Sequence, residues 1–164
     1  MATTFSKARR EEALAIQAGI PFTYHDGGRS ESKRPKQSND CTVRAIAIVT
    51  GSTYDQAYDL LKAGGRRSWE GFHLDRWIYG QVDPAVGDPE YILGWTARRI
   101  PFPAVKGQRR MNPHAISRTL PQGRYVLRFA GHVAALIDGR ILDTFAPDPD
   151  RCIYAAWEFT KVVR

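Results

Sequence analysis

The sequence predicts an α+β fold in which N-terminal helices, one of them central and bearing a cysteine, pack on a C-terminal antiparallel sheet. Three observations carry this. Residues 41–49 read CTVRAIAIV, apolar nearly all round apart from Arg44, which is the pattern of a buried helix. Residues 132–145 read HVAALIDGRILDTF, two apolar runs around Asp138-Gly139, the dipeptide of a two-residue type I′ hairpin. Helical patterns dominate the first half of the chain, and strand patterns gather after residue 123.

In chain order, the first helix is expected over residues 6–18, with Ser6 as N-cap and Gly19 at C′. Its apolar positions, Ala8, Ala13, Leu14, Ile16 and Ala18, form only a thin stripe, which predicts an appended arm. Residues 20–38, IPFTYHDGGRSESKRPKQS, read as a mobile or irregular loop because of their Gly, Ser, Pro and Lys content. The cysteine helix follows at Cys41, with Asp40 or Asn39 as N-cap, and Gly51 ends it. Thr53 and Gln56 then form a capping box for a helix running to Gly64-Gly65, so the two make a helical hairpin. Between Arg66 and Gly107 the pattern suggests a short helix near residues 73–78, a Pro- and Gly-punctuated loop, and a strand near 95–100. Asn112-Pro113 is an N-cap followed by proline at N1, starting a helix to about Leu120. Pro121-Gln122-Gly123 turns the chain into the strand RYVLRF, then come the hairpin and a last strand, CIYAAWEFTKVV, with Cys152 in its core. Residues 1–38 thus read as an N-terminal helix and mobile basic loop, and 39–164 as a single catalytic domain.

Composition narrows the function classes. The 164 residues are 43% hydrophobic, enough for one domain with a core. The N-terminus carries charges where a signal peptide needs an apolar centre, and no run approaches the roughly 18 apolar residues of a membrane span. The expectation is a non-secreted, cytoplasmic protein without membrane partners. Two cysteines give neither a disulfide framework nor a Cys-x-x-Cys metal spacing, and His25, His73 and His114 lie at unrelated spacings, so no metal is expected. The net charge of +7 attracts polyanions, but its positive residues are scattered as pairs such as Arg66-Arg67 and Arg98-Arg99. A solvated basic surface accounts for that scatter, and nucleic acid is not the expected main partner.

The chemistry gathers around Cys41. With a two-residue turn, Ile137 pairs with Arg140, Leu136 with Ile141, Ala135 with Leu142 and Ala134 with Asp143. His132, Ala134 and Asp143 then share a face, with Asp143 diagonal to His132. Asp138 lies at the hairpin tip, about 20 Å from His132 at the usual strand rise, and is excluded. A cysteine nucleophile reacts as the thiolate, which a helix N-terminus and a neighbouring imidazolium both favour, and an acid in turn stabilises the imidazolium. Cys41, in the first turn of its helix, meets the first condition, and His132 with Asp143 supply the others. Unpaired helix amides, with Gln37 or Asn39 close upstream, are candidates to hold an oxyanion.

These residues resemble the papain-like cysteine peptidase superfamily, specifically its small bacteriophage-type members with an NDC-x-x-R-A-x-A helix and a G-H-x-x-A-x-x-D-G-x-x-x-D-T hairpin. Here the motifs read Asn39-Asp40-Cys41 through Ala47 and Gly131-His132 through Asp143-Thr144. The resemblance covers about half of the chain, residues 39–61 and 113–145. It implies a papain-like fold, a thiol protease activity through a catalytic triad of Cys41, His132 and Asp143, no cofactor, a peptide or protein substrate, and a phage or prophage origin. The family's oxyanion glutamine lies a residue or two farther upstream than Gln37, with Asn39 as a substitute. Two other readings use the same residues: a catalytically inactive papain-like fold serving as a basic binding protein for nucleic acid or a host protein, and acyl transfer or amide hydrolysis on a non-peptide substrate.

Overall fold

Helix α1 (Ala2–Ala18) ends where Gly19 adopts φ +71°, a left-handed conformation that costs glycine little, with Gly19 N–H donating to Ile16 O and Ile20 N–H to Ala15 O. The computed structural model describes residues 2–82 and 92–163. The helix starts four residues earlier than expected, which places Ser6 inside it and not at its N-cap; nothing in Ala2-Thr3-Thr4-Phe5 breaks a helix. The thin apolar stripe has the expected consequence: Ala15 is buried, whereas Leu14 and Ile16 are exposed. Two glutamates tie the helix down. Glu12 Oε1 accepts from Tyr24 N–H at 3.0 Å, and Glu11 Oε2 accepts from Ala146 N–H at 2.9 Å.

The next segment departs from the sequence reading. Residues 22–24, inside the stretch expected to be an irregular loop, form strand β1 (Phe22–Tyr24), which pairs in parallel with β5 (Arg140–Asp143). The sheet is therefore mixed and not purely antiparallel. It has six strands in the order β1-β5-β4-β3-β6-β2, with β2 (Trp95–Pro101), β3 (Arg124–Phe129), β4 (His132–Ile137) and β6 (Ala155–Lys161) all antiparallel to their neighbours. After α1 the chain enters beside β5 running in the same direction, so only this edge pair is parallel. Residues 22–24 thereby join the sheet formed by the later strands.

Strand alternation sorts the core into two layers. Val126, Ala135 and Trp157 pack with α2 (Cys41–Thr50), α3 (Tyr54–Ala63) and α4 (Leu74–Val82) on one face. Leu127, Ala134 and Ala156 pack with Ala15 of α1 and Ile116 of α5 (Pro113–Thr119) on the other. Period-two side-chain alternation requires this split. Helix α2 is the buried central helix that its composition demands, with eight consecutive buried residues from Thr42 to Val49. The capping box forms as read: Thr53 Oγ1 accepts from Gln56 N–H, and Gln56 Oε1 accepts from Thr53 N–H. Asn112 caps α5 through Ala115 N–H. The β4–β5 turn has φ +49° at Asp138 and +79° at Gly139, the two positive angles of a type I′ turn, and the register runs Ile137↔Arg140, Leu136↔Ile141, Ala135↔Leu142.

Cys152 is a second departure. Expected inside the last strand, it lies partly buried in the segment before β6, which begins at Ala155. Backbone bonds from Ile153 N–H to Met111 O and from Tyr154 N–H to Arg128 O lead the chain to the sheet only after Cys152 has passed. The Pro- and Gly-punctuated loop expected after α4 lies largely outside the described residues. No helix among the described residues is long and apolar enough to cross a membrane.

Candidate active site

Three elements converge at one end of the sheet. Cys41 opens α2, His132 opens β4, and Asp143 closes β5. The two hairpin residues meet as the register requires, with His132 Nε2 2.6 Å from Asp143 Oδ2. Nδ1 is then the ring nitrogen left for Cys41, which lines the same cleft as His132 and Val133 and interacts electrostatically with the imidazole. The imidazole is largely enclosed, with 11% of its side chain exposed, between Phe129 (ring centroids 6.0 Å apart) and Phe145 (4.9 Å). All three candidate triad residues are thus brought together from positions 91 and 11 residues apart in sequence.

The local electrostatics favour a charged pair. Burial alone would push the Cys41 thiol up. The hydrogen bonds from His132 and from Val133 N–H, with the positive charges of His132 and Arg44, outweigh burial and hold the thiol below its ordinary value. Burial alone would lower His132, but the hydrogen bonds to Asp143 and Cys41, and their negative charges, push it up to about 9. Each charged partner thus favours the charged form of the other.

The two oxyanion candidates separate. Asn39 lines the open cleft of about 710 Å³ in which Cys41 and His132 sit, together with Thr42, the segment 71–76, Arg128, Phe129, Gly131 and Val133. Gln37 does not line it; its amide donates to Ser38 O at 3.1 Å, and it borders a different depression with Lys33 and Lys36. Asn39 has φ +52°, a left-handed angle that asparagine tolerates better than most residues, and its carbonyl accepts from Arg66 Nη2 at 2.9 Å. This turn delivers the chain into α2.

Asp40 occupies the N-cap position, as expected, but its side chain makes no capping bond. The carboxylate instead turns inward, where it accepts from Arg29 Nη1 at 3.1 Å, from Tyr54 Oη at 2.8 Å and from Arg44 Nη1. The first-turn amides of α2, at the cleft, therefore lack a side-chain cap. Arg44 reaches across to Asp143, with Nη2 3.2 Å from Oδ1, and that oxygen also accepts Thr144 N–H at 2.7 Å. Sequence reasoning singled out neither Arg44 nor Asp40 as part of the site. The available signal was one arginine inside an otherwise apolar helix with an aspartate four residues earlier, a spacing at which helical side chains meet.

No protein-family model, curated protein or solved structure matches this chain.

Proposed function

We propose that the protein is a thiol hydrolase of papain-like type, a peptidase or isopeptidase. The observation that carries this reading is the single imidazole bonded to the Asp143 carboxylate and electrostatically paired with Cys41 in the same open cleft. In the reaction, the Cys41 thiolate attacks the amide carbonyl carbon and the carbonyl π electrons move to oxygen. Backbone N–H groups at the start of α2, with the Asn39 side chain, stabilise that oxyanion. Collapse of the tetrahedral intermediate breaks the C–N bond as the His132 imidazolium gives its proton to the leaving amine, producing a thioester on Cys41. Water then attacks the thioester, losing its proton to His132. Collapse of this second tetrahedral intermediate breaks the C–S bond with its electron pair going to sulfur, the acid product leaves and ionises in solvent, and the thiolate–imidazolium pair is restored. Asp143 holds the ring with Nδ1 toward sulfur and stabilises its charged form.

The test is trapping with a thiol-directed electrophile, a peptidyl vinyl sulfone, mapped by mass spectrometry. The expected adduct is on Cys41 of the wild type and is lost or strongly reduced in His132→Ala. Labelling that falls equally on both cysteines, or that survives His132→Ala unchanged, contradicts the reading.

A further inference from the structure

We infer that Arg44 is a positioning residue for the reaction proposed above, a guanidinium that joins the Asp143 carboxylate to a second buried carboxylate, Asp40, and so extends the three-residue constellation into the core. The inference rests on the hydrolase reading and adds to it an element that this reading does not require. Geometry carries it. Arg44 is 7% exposed and lies on α2, three residues after the nucleophile; Nη1 bonds Asp40 Oδ1 and Nη2 bonds Asp143 Oδ1, while Asp143 Oδ2 is left for His132. The carboxylate of Asp143 is thus held by different partners on its two oxygens, which fixes its plane relative to the imidazole. A planar fork with several fixed donors suits this two-carboxylate bridge better than a single ammonium does.

The charges balance as the inference requires. Arg29 and Arg44 face Asp40 and Asp143, two cations against two anions, so the Cys41–His132 pair sits in a frame with no net charge of its own. The other ionisable groups around Arg44 are Tyr54 on α3, whose hydroxyl donates to Asp40, Tyr24 on β1, and Cys41 on its own helix. A salt bridge whose only duty was to join helix to sheet would need one carboxylate. Arg44 instead contacts the carboxylate that orients the imidazole, and its positive charge favours the Cys41 thiolate. The position is also sterically fixed: a Cβ on Gly27, which has φ +70°, would lie 2.9 Å from the Arg44 Cα, so the 25–28 turn presses directly on this point of the helix.

The experiment measures the rate of Cys41 alkylation by iodoacetamide from pH 4 to 10, read by mass spectrometry, in wild type, Arg44→Gln and Arg44→Lys, each first confirmed folded by near-UV circular dichroism. Gln keeps hydrogen-bonding capacity for the fold but loses the charge. Its acid midpoint is expected to move up by about one pH unit, the size of effect that one nearby opposite charge exerts. Arg44→Lys restores the charge without the fork, and its midpoint is expected between the other two. A folded Arg44→Gln protein with the wild-type midpoint overturns the inference; should Arg44→Gln not fold, an Arg44→Lys midpoint equal to wild type overturns it. A wild type whose Cys41 is unreactive below pH 7 fails the hydrolase reading itself, so the two failures are told apart.

Discussion

Cys41 and His132 share one proton, and its position sets the pH range of the proposed reaction. The first half-reaction needs a thiolate on sulfur and a proton on the ring. The thiol is held below its ordinary value, so the thiolate is favoured over that of a free cysteine and is lost as pH falls through the lowered value. The ring is pushed up to about 9, so its proton is kept through neutral pH and lost as pH rises through about 9. The turnover profile is therefore expected to be bell-shaped, with an alkaline limb near pH 9, and the two limbs belong to the pair as a unit. Alkylation by a neutral reagent needs no proton donor and should show no alkaline fall. The check is kcat/KM against pH for a peptide substrate in parallel with alkylation. An alkaline limb near 6.5, the value of an unperturbed imidazole, would mean that Asp143 and Cys41 do not act on His132 as described.

At the scale of elements, the sheet edge formed by β1 and β5 fixes the carboxylate end of the site. His25 N–H donates to Asp143 O at 2.9 Å, and Ile141 N–H donates to Pro21 O at 3.0 Å, so β1 pins the backbone of the strand that carries the acid. Phe22 anchors β1 in the core that also holds Ile141. Phe22→Ala is expected to cost about 3 kcal/mol, the usual range for emptying a buried aromatic site, measured as a lower urea midpoint with unchanged slope. An unchanged midpoint would show that β1 contributes nothing to the sheet. The difference between elements that were legible in sequence and those that were not has a physical basis. Helix α2, the Thr53 capping box, the Asn112 cap and the Asp138-Gly139 turn are each specified by residues within four positions of one another, and each forms as read. The His132–Asp143 contact follows from the same local turn. Strand β1 is only three residues long and depends on β5, more than 110 residues away, so nothing local distinguishes it from a loop. The inward turn of Asp40 is likewise decided by Arg29, Arg44 and Tyr54, two of which reach it from other elements.

Across the whole molecule, the site exists only when distant parts of the chain are joined. The sulfur comes from the helical half, the imidazole and carboxylate from the hairpin, and the frame of half-buried Arg29 and buried Asp40 and Arg44 from the loop and helix between α1 and α3. Much of the positive charge is also engaged: Arg34 pairs with Asp55 and Asp59, Arg98 with Glu158, and Arg128 with Asp75. These are exposed or half-exposed pairs that contribute little stability individually. The two cysteines therefore serve as reporters within a single chain. Cys41 lies beside an imidazole at a helix N-terminus, whereas Cys152 lies in the segment before β6.

The most direct test of the account is the iodoacetamide alkylation rate of these two thiols, resolved by mass spectrometry, at pH 6 in the native protein and in urea. In the native protein Cys41 is expected to react well ahead of Cys152, because its thiolate is populated below the free-cysteine value of about 8.5. His132→Ala should remove that advantage, and unfolding should bring both thiols to the same slow rate. Equal rates for Cys41 and Cys152 in the folded wild type at pH 6 would contradict the thiolate–imidazolium pair on which the proposed chemistry depends.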